Sequence, residues 1–474
     1  MSVFLRWRES RHPRAASAST WTLLLLTASA CSSPARLSID DAQLASAAGA
    51  RHSVEDVERA LELANLEPLS IPIPPPPSEV RPDQPEFWQA CAFAWNPELR
   101  QMRRRVRELR ALTRSAGQPG PIMGQGMMFD IENPDAEFEV QAMVDVFGLL
   151  GVGPSAAARE LARAEVRAAV AQLEARAWAL RFQVDRARVE IAAAKALETA
   201  MSGLYEDAVQ TLPRIEILSR RGWIGAGMTE GALAALHMVE HRQAMARAEV
   251  ARRRAELADL CGIDSAHPAF DELQGGVIDR FRPDDLEWSA PTAQELLGAL
   301  PELRARKLEL ALAEAELQRE ARERWPNLRV GPRAVVMPDD TFLGPMFGID
   351  IPWPGSLDGR IDAARERRDA AYEALEDGLV MARTRLDRAQ RVWDESLALR
   401  DEHAPETDRS IARMLLSARA AFLVDPERLE PWSRALGERV ESLSNLVRAR
   451  ADLVLAWLDW QEACGARDGA EVSL

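Results

Sequence analysis

The chain has 474 residues and a formal net charge of −15, and is 47% hydrophobic but only 6% aromatic. That length supplies ample material for a core, and the aromatic-poor, alanine-rich composition favours close-packed helices. The acidic balance excludes the basic patches that nucleic-acid binding needs. The sequence has no phosphate-binding glycine loop, nucleophile elbow or HExxH motif, so it offers no catalytic site.

Residues 1–30 read as a signal peptide. Arg6, Arg8, Arg11 and Arg14 precede an apolar stretch over 15–30 that is too short for a comfortable membrane span. Ala28-Ser29-Ala30 then runs into Cys31 and resembles a bacterial lipobox, which implies lipidation of Cys31. Ser32 carries the resemblance toward outer-membrane lipoproteins, and ordinary cleavage at the same place is the alternative. The other cysteines, Cys91, Cys261 and Cys464, match no zinc or redox spacing.

Residues 31–87 form a leader. Ser53 with Asp56 predicts a short capped helix through Asn65. The proline-rich stretch 71–85, with Pro74 to Pro77 consecutive, predicts an extended strap.

From Asn96 the chain repeats itself. Pro97-Glu98-Leu99-Arg100 recurs 204 residues later as Pro301-Glu302-Leu303-Arg304, and Cys261-Gly262 recurs 203 residues later as Cys464-Gly465. Two landmarks at nearly one spacing indicate an internal duplication. Repeat 1 spans 88–262 with a hairpin at 122–148, and repeat 2 spans 300–465 with a hairpin at 327–352. An equatorial linker at 263–299 joins them, and 466–474 form a tail.

The hairpins read as strands at 127–131, 137–147, 328–337 and 342–351. Phe138, Val140, Ala142, Val144 and Val146 alternate with polar residues, and Leu343, Pro345, Phe347, Ile349 and Ile351 share a face. Strands of ~10 residues span a bilayer when tilted, whereas a sheet on a soluble core is the alternative.

The long helix expected over 155–212 carries two opposed apolar seams. One includes Ala168, Ala171, Trp178 and Phe182, broken by Asp185. The other includes Leu173, Ala177, Leu180 and Val184. A charged stripe from Glu160 through Glu174 and Arg188 to Lys195 lies between them. Two seams require a neighbour on each side, unlike a two-helix coiled coil, and such a helix reaches ~80–90 Å. It is expected to stop near Pro213 and resume over 232–259. In repeat 2 a helix from 357 is expected to break at Val424-Asp425-Pro426 and resume to 463.

In this order the chain resembles the outer-membrane efflux protein family, the TolC-like channels with their lipoprotein branch. The residues that carry the likeness are Asn96-Pro97-Glu98-Leu99, Pro301-Glu302-Leu303, Trp325-Pro326-Asn327-Leu328, Gly348-Ile349-Asp350-Ile351-Pro352 and Gly359-Arg360 with Ala363-Ala364. The resemblance covers roughly 88–465. It implies a mainly α fold with a small β part. Long coiled-coil helices would form a periplasmic α-barrel, and four strands per chain would enter a shared trimeric transmembrane β-barrel.

It further implies a passive export conduit in a tripartite efflux or secretion system. The partners are then a homotrimer of self, a periplasmic adaptor, an inner-membrane pump and outer-membrane lipid, with no cofactor. The adaptor-facing tips map to Arg221, Gly222, Gly225, Gly227 and Phe422, and the gate to Asp425, Glu427 and Glu430. Met228 and Gly231 replace the family's polar and acidic residues, and the second tip lacks the expected glycine. Independently, four strands cannot close a transmembrane barrel, and open edges are forbidden in lipid. The alternative left by the residues is a lipid-anchored periplasmic coiled-coil scaffold that forms no pore. His237 and His241, one helical turn apart near Met238 and Met245, are too few for a closed metal site.

Overall fold

The computed structural model describes residues 74–116, 123–129, 137–146, 153–273, 291–336, 341–351, 357–402 and 405–465, with the single positions Ala60, Leu150, Ile278, Phe281, Trp353 and Gly355. Cys31, the helix expected from Ser53 (apart from Ala60) and the tail at 466–474 lie outside them. The chain divides into two compact units. The first draws on 111–164 and 313–368, the second on 165–312, 369–474 and the segment up to Arg110.

The first unit holds a four-stranded antiparallel sheet in the order β1 (Met123–Phe129), β2 (Glu137–Asp145), β3 (Asn327–Val336), β4 (Thr341–Asp350). The two hairpins therefore pair side by side through β2 and β3. The strand expected at 127–131 begins four residues earlier, because Gly124 and Gly126, poor strand formers alone, are held by the ladder to Ala142 and Val140. β2 ends at Asp145 rather than 147, and β3 and β4 each lie one residue earlier than expected. Below the second hairpin, Arg360 of the Gly359-Arg360 pair bridges Glu320 at 2.7 Å and Glu323 at 2.8 Å.

The second unit is helical. Its first helix, α1 (Pro85–Trp95), was not foreseen, and the described part of the expected strap contains a 3₁₀ turn at Pro77–Glu79. Proline at a first helical position costs no hydrogen bond, and the run from Phe87 to Ala94 is buried all round. Asn96 then caps α2 (Pro97–Ser115), as expected: its Oδ1 accepts from the Glu98 and Leu99 amides at 3.1 and 3.3 Å.

Helix α3 (Pro154–Val209) runs 56 residues, and both of its seams are covered. Leu173, Ala177, Leu180 and Val184 join one cluster with Trp88, Leu99, Leu257 and Phe270. Phe182, Val189 and Ala192 join another with Trp393, Val454 and Trp457. Each large apolar side chain so buried contributes about 1.5–3 kcal/mol.

The expected charged stripe is corrected in part: Glu174 and Arg188 are buried, because neighbouring helices cover that flank as well, and Asp185, the break in the apolar seam, is buried with them. Each finds partners: Arg304 lies 3.4 Å from Glu174, Gln89 donates to both Asp185 oxygens at 3.0 and 2.9 Å, and Arg188 donates to the Asp83 carbonyl at 2.8 Å. Burial pushes the Asp185 carboxyl up and the Arg188 guanidinium down, and their mutual attraction opposes both shifts.

The remaining elements are α4 (Leu212–Arg220), α5 (Ala226–Cys261), α6 (Ala269–Glu272), α7 (Ala293–Ala299), α8 (Pro301–Arg322), α9 (Asp358–Glu402), α10 (Pro405–Val424) and α11 (Leu429–Cys464). Three helix boundaries differ from expectation. α3 ends at Val209, and Pro213 sits inside the first turn of α4 rather than ending a helix. α5 starts at Ala226, because extended Gly225 precedes it and its interior tolerates Gly227 and Gly231. α9 stops at Glu402 and α10 opens on Pro405, which cannot donate to a continuous helix.

The duplication is visible in geometry. Gly262 and Gly465 both adopt left-handed backbone, at φ 64° and 68°. A side chain on Gly262 would meet Trp95 at 2.9 Å, and one on Gly465 would meet Ala299 at 2.9 Å. Trp95 and Ala299 each stand two residues before the proline that opens α2 or α8, so each repeat closes on its own start. The ion pairs repeat too: Glu98 with Arg176 at 2.6 Å, and Glu302 with Arg385 at 3.0 Å. The buried seam Leu173, Ala177, Leu180, Val184 and Ala187 recurs 209 residues later as Ala382, Leu386, Ala389, Trp393 and Ser396.

Candidate membrane-facing sheet and helical tip

Alternation gives the sheet two chemically different faces. Register aligns Gly126, Val140 and Ala334 with Leu343, and Val144 and Val330 with Phe347. Leu328 pairs with Ile349 on that same face. In β4 these apolar positions are the open ones: Leu343 and Ile349 are exposed, and Phe347 is 67% exposed. The intervening Phe342, Gly344, Met346 and Gly348 are half-buried. The opposite face carries Arg329, Arg333 and Asp350, with Arg329 and Asp350 paired at 2.8 Å. A water-soluble sheet hides its apolar face, whereas this one presents it. Trp325 and Trp353, the latter 82% exposed, flank the same end of the second hairpin and suit a membrane–water interface.

The prolines fit the sheet. Pro345 stands directly opposite Pro332. Neither has an N–H to exchange, so theirs is a non-hydrogen-bonded position. The β2–β3 register correspondingly skips Gly331 and Pro332. Among the described residues, β1 and β4 are edges with unpaired backbone along their outer sides.

The tip is built where α4 turns into α5 and α10 into α11. Gly222, at φ 68°, ends α4, and the Trp223 amide returns to the Leu218 carbonyl at 3.0 Å. Arg221 lies over the Trp223 ring at 5.7 Å. Gly225 accepts from Thr229 and begins α5, and Gly227 lies in its first turn, exposed. Phe422 is enclosed, stacked on Trp432 at 6.2 Å, in a cluster with Leu218, Ile224, Leu236 and Leu429. The apolar side chains this tip presents are instead Trp223, Leu423 and Val424, the last 86% exposed. Composition conceals this exchange, since Phe422-Leu423-Val424 is a uniformly apolar run.

The acidic candidates are locally engaged. Asp425 caps the 3₁₀ turn Pro426–Arg428 by accepting from the Glu427 amide at 3.1 Å, and it lies 3.5 Å from Arg428. Glu430 pairs with Arg434 at 2.9 Å, and Glu427 is exposed. His237 lies 3.3 Å from Glu240, and no group of three or more His, Cys, Asp or Glu among the described residues could hold a metal ion. Among those residues no helix is long and apolar enough to cross a membrane.

The architecture matches solved outer-membrane channels. CusC, described in terms of folding and transmembrane channel formation, aligns with a TM-score of 0.66 at 17% identity, over 81% of this chain and 92% of its own. The CmeC outer membrane channel of Campylobacter jejuni aligns with a TM-score of 0.66 at 13% identity, over 80% and 85%. The outer membrane protein VceC of Vibrio cholerae aligns with a TM-score of 0.60 at 16% identity, over 81% and 96%. The fold is thus that of the TolC-like outer-membrane channels. No sequence profile of a known family matches the chain, and no curated protein matches it in sequence.

Proposed function

We propose that this protein is the outer-membrane channel of a tripartite efflux or secretion system, a passive conduit with no enzymatic step. Three copies each contribute a four-stranded sheet to one closed barrel and their helices to a periplasmic tunnel. Cys31 is the lipid anchor. An inner-membrane pump supplies the energy, and a periplasmic adaptor docks at the tips around Arg221, Gly222, Gly225 and Gly227, where Trp223, Leu423 and Val424 are exposed and Phe422 is enclosed behind them. Asp425, Glu427 and Glu430 line the gate. The repeats at 88–262 and 300–465 are the two halves of each subunit.

The observation that carries this reading is the exposed apolar face of β4 on an open-edged sheet. In lipid that face is solvated and the edges must be paired by further copies. The test is single-channel recording of the mature protein in a planar bilayer. Discrete steps are expected, and they disappear on deletion of 328–351 and in Phe347→Asp combined with Ile349→Asp, since charge on a lipid face costs about 2–4 kcal/mol near midplane. A chain that becomes freely soluble once Cys31 is replaced by Ser, and never conducts, is a scaffold.

A further inference from the structure

Two thiols meet where repeat 1 closes on its own start. Cys91 lies on α1, and Cys261 is the last residue of α5. They are 1% and 0% exposed and share one apolar cluster with Trp88, Leu257 and Phe270. The Cys261 thiol donates to the Trp88 carbonyl at 3.4 Å. Cys91 stands three residues beyond Trp88 on the same face of α1, and a helical side chain leans back over the turn before it. Both sulfurs therefore lie over one turn of α1. The backbones on either side are held close. Asn96 Nδ2 donates to the Leu260 carbonyl at 3.4 Å, and a side-chain carbon on Gly262 would fall 2.9 Å from Trp95.

Both residues are thiols in the structure. Burial pushes the Cys91 thiol up to about 12 and the Cys261 thiol well above its ordinary value, and charge on Cys91 raises Cys261 further. Once folded, neither is a reactive thiolate. The repeats show that the pair is specific to the first. Cys261-Gly262 recurs as Cys464-Gly465, so a cysteine at the end of the last helix belongs to the duplicated pattern. Its opposite number does not. The offset of 204 carries Cys91 to Glu295 on α7, where the side chain is used in a capping box with Thr292. Repeat 1 alone places a second cysteine against the first.

We propose that in the exported chain Cys91 and Cys261 are joined by a disulfide that staples α1, where the leader enters the helical body, to the end of repeat 1. The oxidant is a disulfide of the extracytoplasmic compartment, carried by a protein or a small molecule. One cysteine thiolate attacks it, forms a mixed disulfide and releases the first oxidant thiolate. The second cysteine thiolate then displaces the other oxidant thiolate. Two protons leave the cysteines, and two electrons reduce the oxidant to a dithiol. The bond closes before the cluster seals, because neither thiol is accessible afterwards. It makes nearly all of repeat 1 a single closed loop and ties the leader covalently to the helices. Cys464 stays a thiol. The proposal goes beyond the channel reading and rests on it for an oxidising compartment.

The experiment is thiol mapping of the wild-type mature protein, extracted from membranes under denaturing conditions with one alkylating reagent, then reduced and treated with a second. Cys464 is expected to carry the first label. Cys91 and Cys261 are expected to carry the second, on peptides joined before reduction. The unreduced chain should run ahead of the reduced one in a denaturing gel. That shift should vanish in Cys91→Ala or Cys261→Ala and persist in Cys464→Ala. Reductant is expected to raise the unfolding equilibrium constant of wild type roughly a hundredfold and to leave that of Cys91→Ala unchanged. Since an alanine variant can fail to fold, wild type is also reduced, unfolded and refolded with glutathione disulfide. First label on Cys91 and Cys261 after that treatment, or a bond from either to Cys464, overturns the staple. If that same chain still conducts, the channel reading survives the failure. A chain that closes the bond with glutathione disulfide but comes from cells with both thiols free overturns the oxidising compartment, and the channel reading with it.

Discussion

Helices α3 and α9 occupy the same place in their repeats and have opposite surroundings. α3 is apolar on two flanks, and the chain covers both. α9 keeps one of those seams, down to its ion pair with Glu302, while the positions matching the other, Asp377, Val380, Thr384, Asp387 and Arg391, are exposed. Duplication thus produced two equivalent helices, and on α9 divergence is concentrated on the flank that a single chain leaves open. An internal contact tolerates small apolar residues because it forms at the effective concentration of folding.

The strongest way to break this comparison is to transplant charge. Ala171 is buried at 1% exposure while its counterpart Val380 is open. Ala171→Glu buries an unpaired carboxylate and is expected to cost about 3–5 kcal/mol in urea unfolding. Val380→Glu should change monomer stability by less than about 0.5 kcal/mol. Equal effects would mean that the two flanks are not differently covered.

The next test asks where the repeats are alike. Gly262→Ala and Gly465→Ala each force a left-handed side chain against a residue two positions before a helix-opening proline. Each is expected to cost about 2 kcal/mol or more, by a similar amount in both repeats. A smaller effect is expected at the start of α2, where Asn96→Ala removes a cap worth about 1 kcal/mol. Repeat 2 has Leu300 at that position, so restoring Asn there measures what the divergence gave up.

The smallest effect lies in titration at one equivalent slot. In α5, hydrogen bonds from Arg252 and Arg253 hold the Glu249 carboxyl down to about 2. In α11, 203 residues on, desolvation pushes Asp452 up against the pull of Arg448. Glu249 therefore stabilises the fold fully above its ordinary 4.5 and loses that contribution as pH falls toward 2. Asp452 acts in the opposite sense. It costs stability as pH rises above its ordinary 3.8, and acidification relieves the cost. Melting curves across the acid range should show a flatter acid limb for Glu249→Gln and a gain at neutral pH for Asp452→Asn. Solvent screening keeps both to a few tenths of a kcal/mol.

Much of this was legible in residue order. The Pro-Glu-Leu-Arg and Cys-Gly landmarks exposed the duplication because they are places where backbone geometry constrains identity: a proline at a helix start and a glycine in left-handed conformation. The two seams of α3 were readable because burial on opposite flanks writes two periodic rows. The strands were legible from period two, and their ends were off by one to four residues because ladder pairing, not local preference, sets where a strand stops.

What stayed hidden was context. Asp185 reads only as a break in an apolar seam and Arg188 only as part of a charged stripe, because periodicity cannot see a neighbour such as Gln89, nearly a hundred residues from Asp185. Phe422 looked like a surface anchor and is enclosed, since three apolar residues in a row do not announce which one points inward.

One chain is on this reading an incomplete object: among the described residues its sheet has two open edges, and further copies complete them. The most direct measurement is the mass of the mature protein extracted in mild detergent, by sedimentation or native mass spectrometry. Three times the chain mass is expected. A stable species of a single chain mass, with the apolar face of β4 still open, would contradict it.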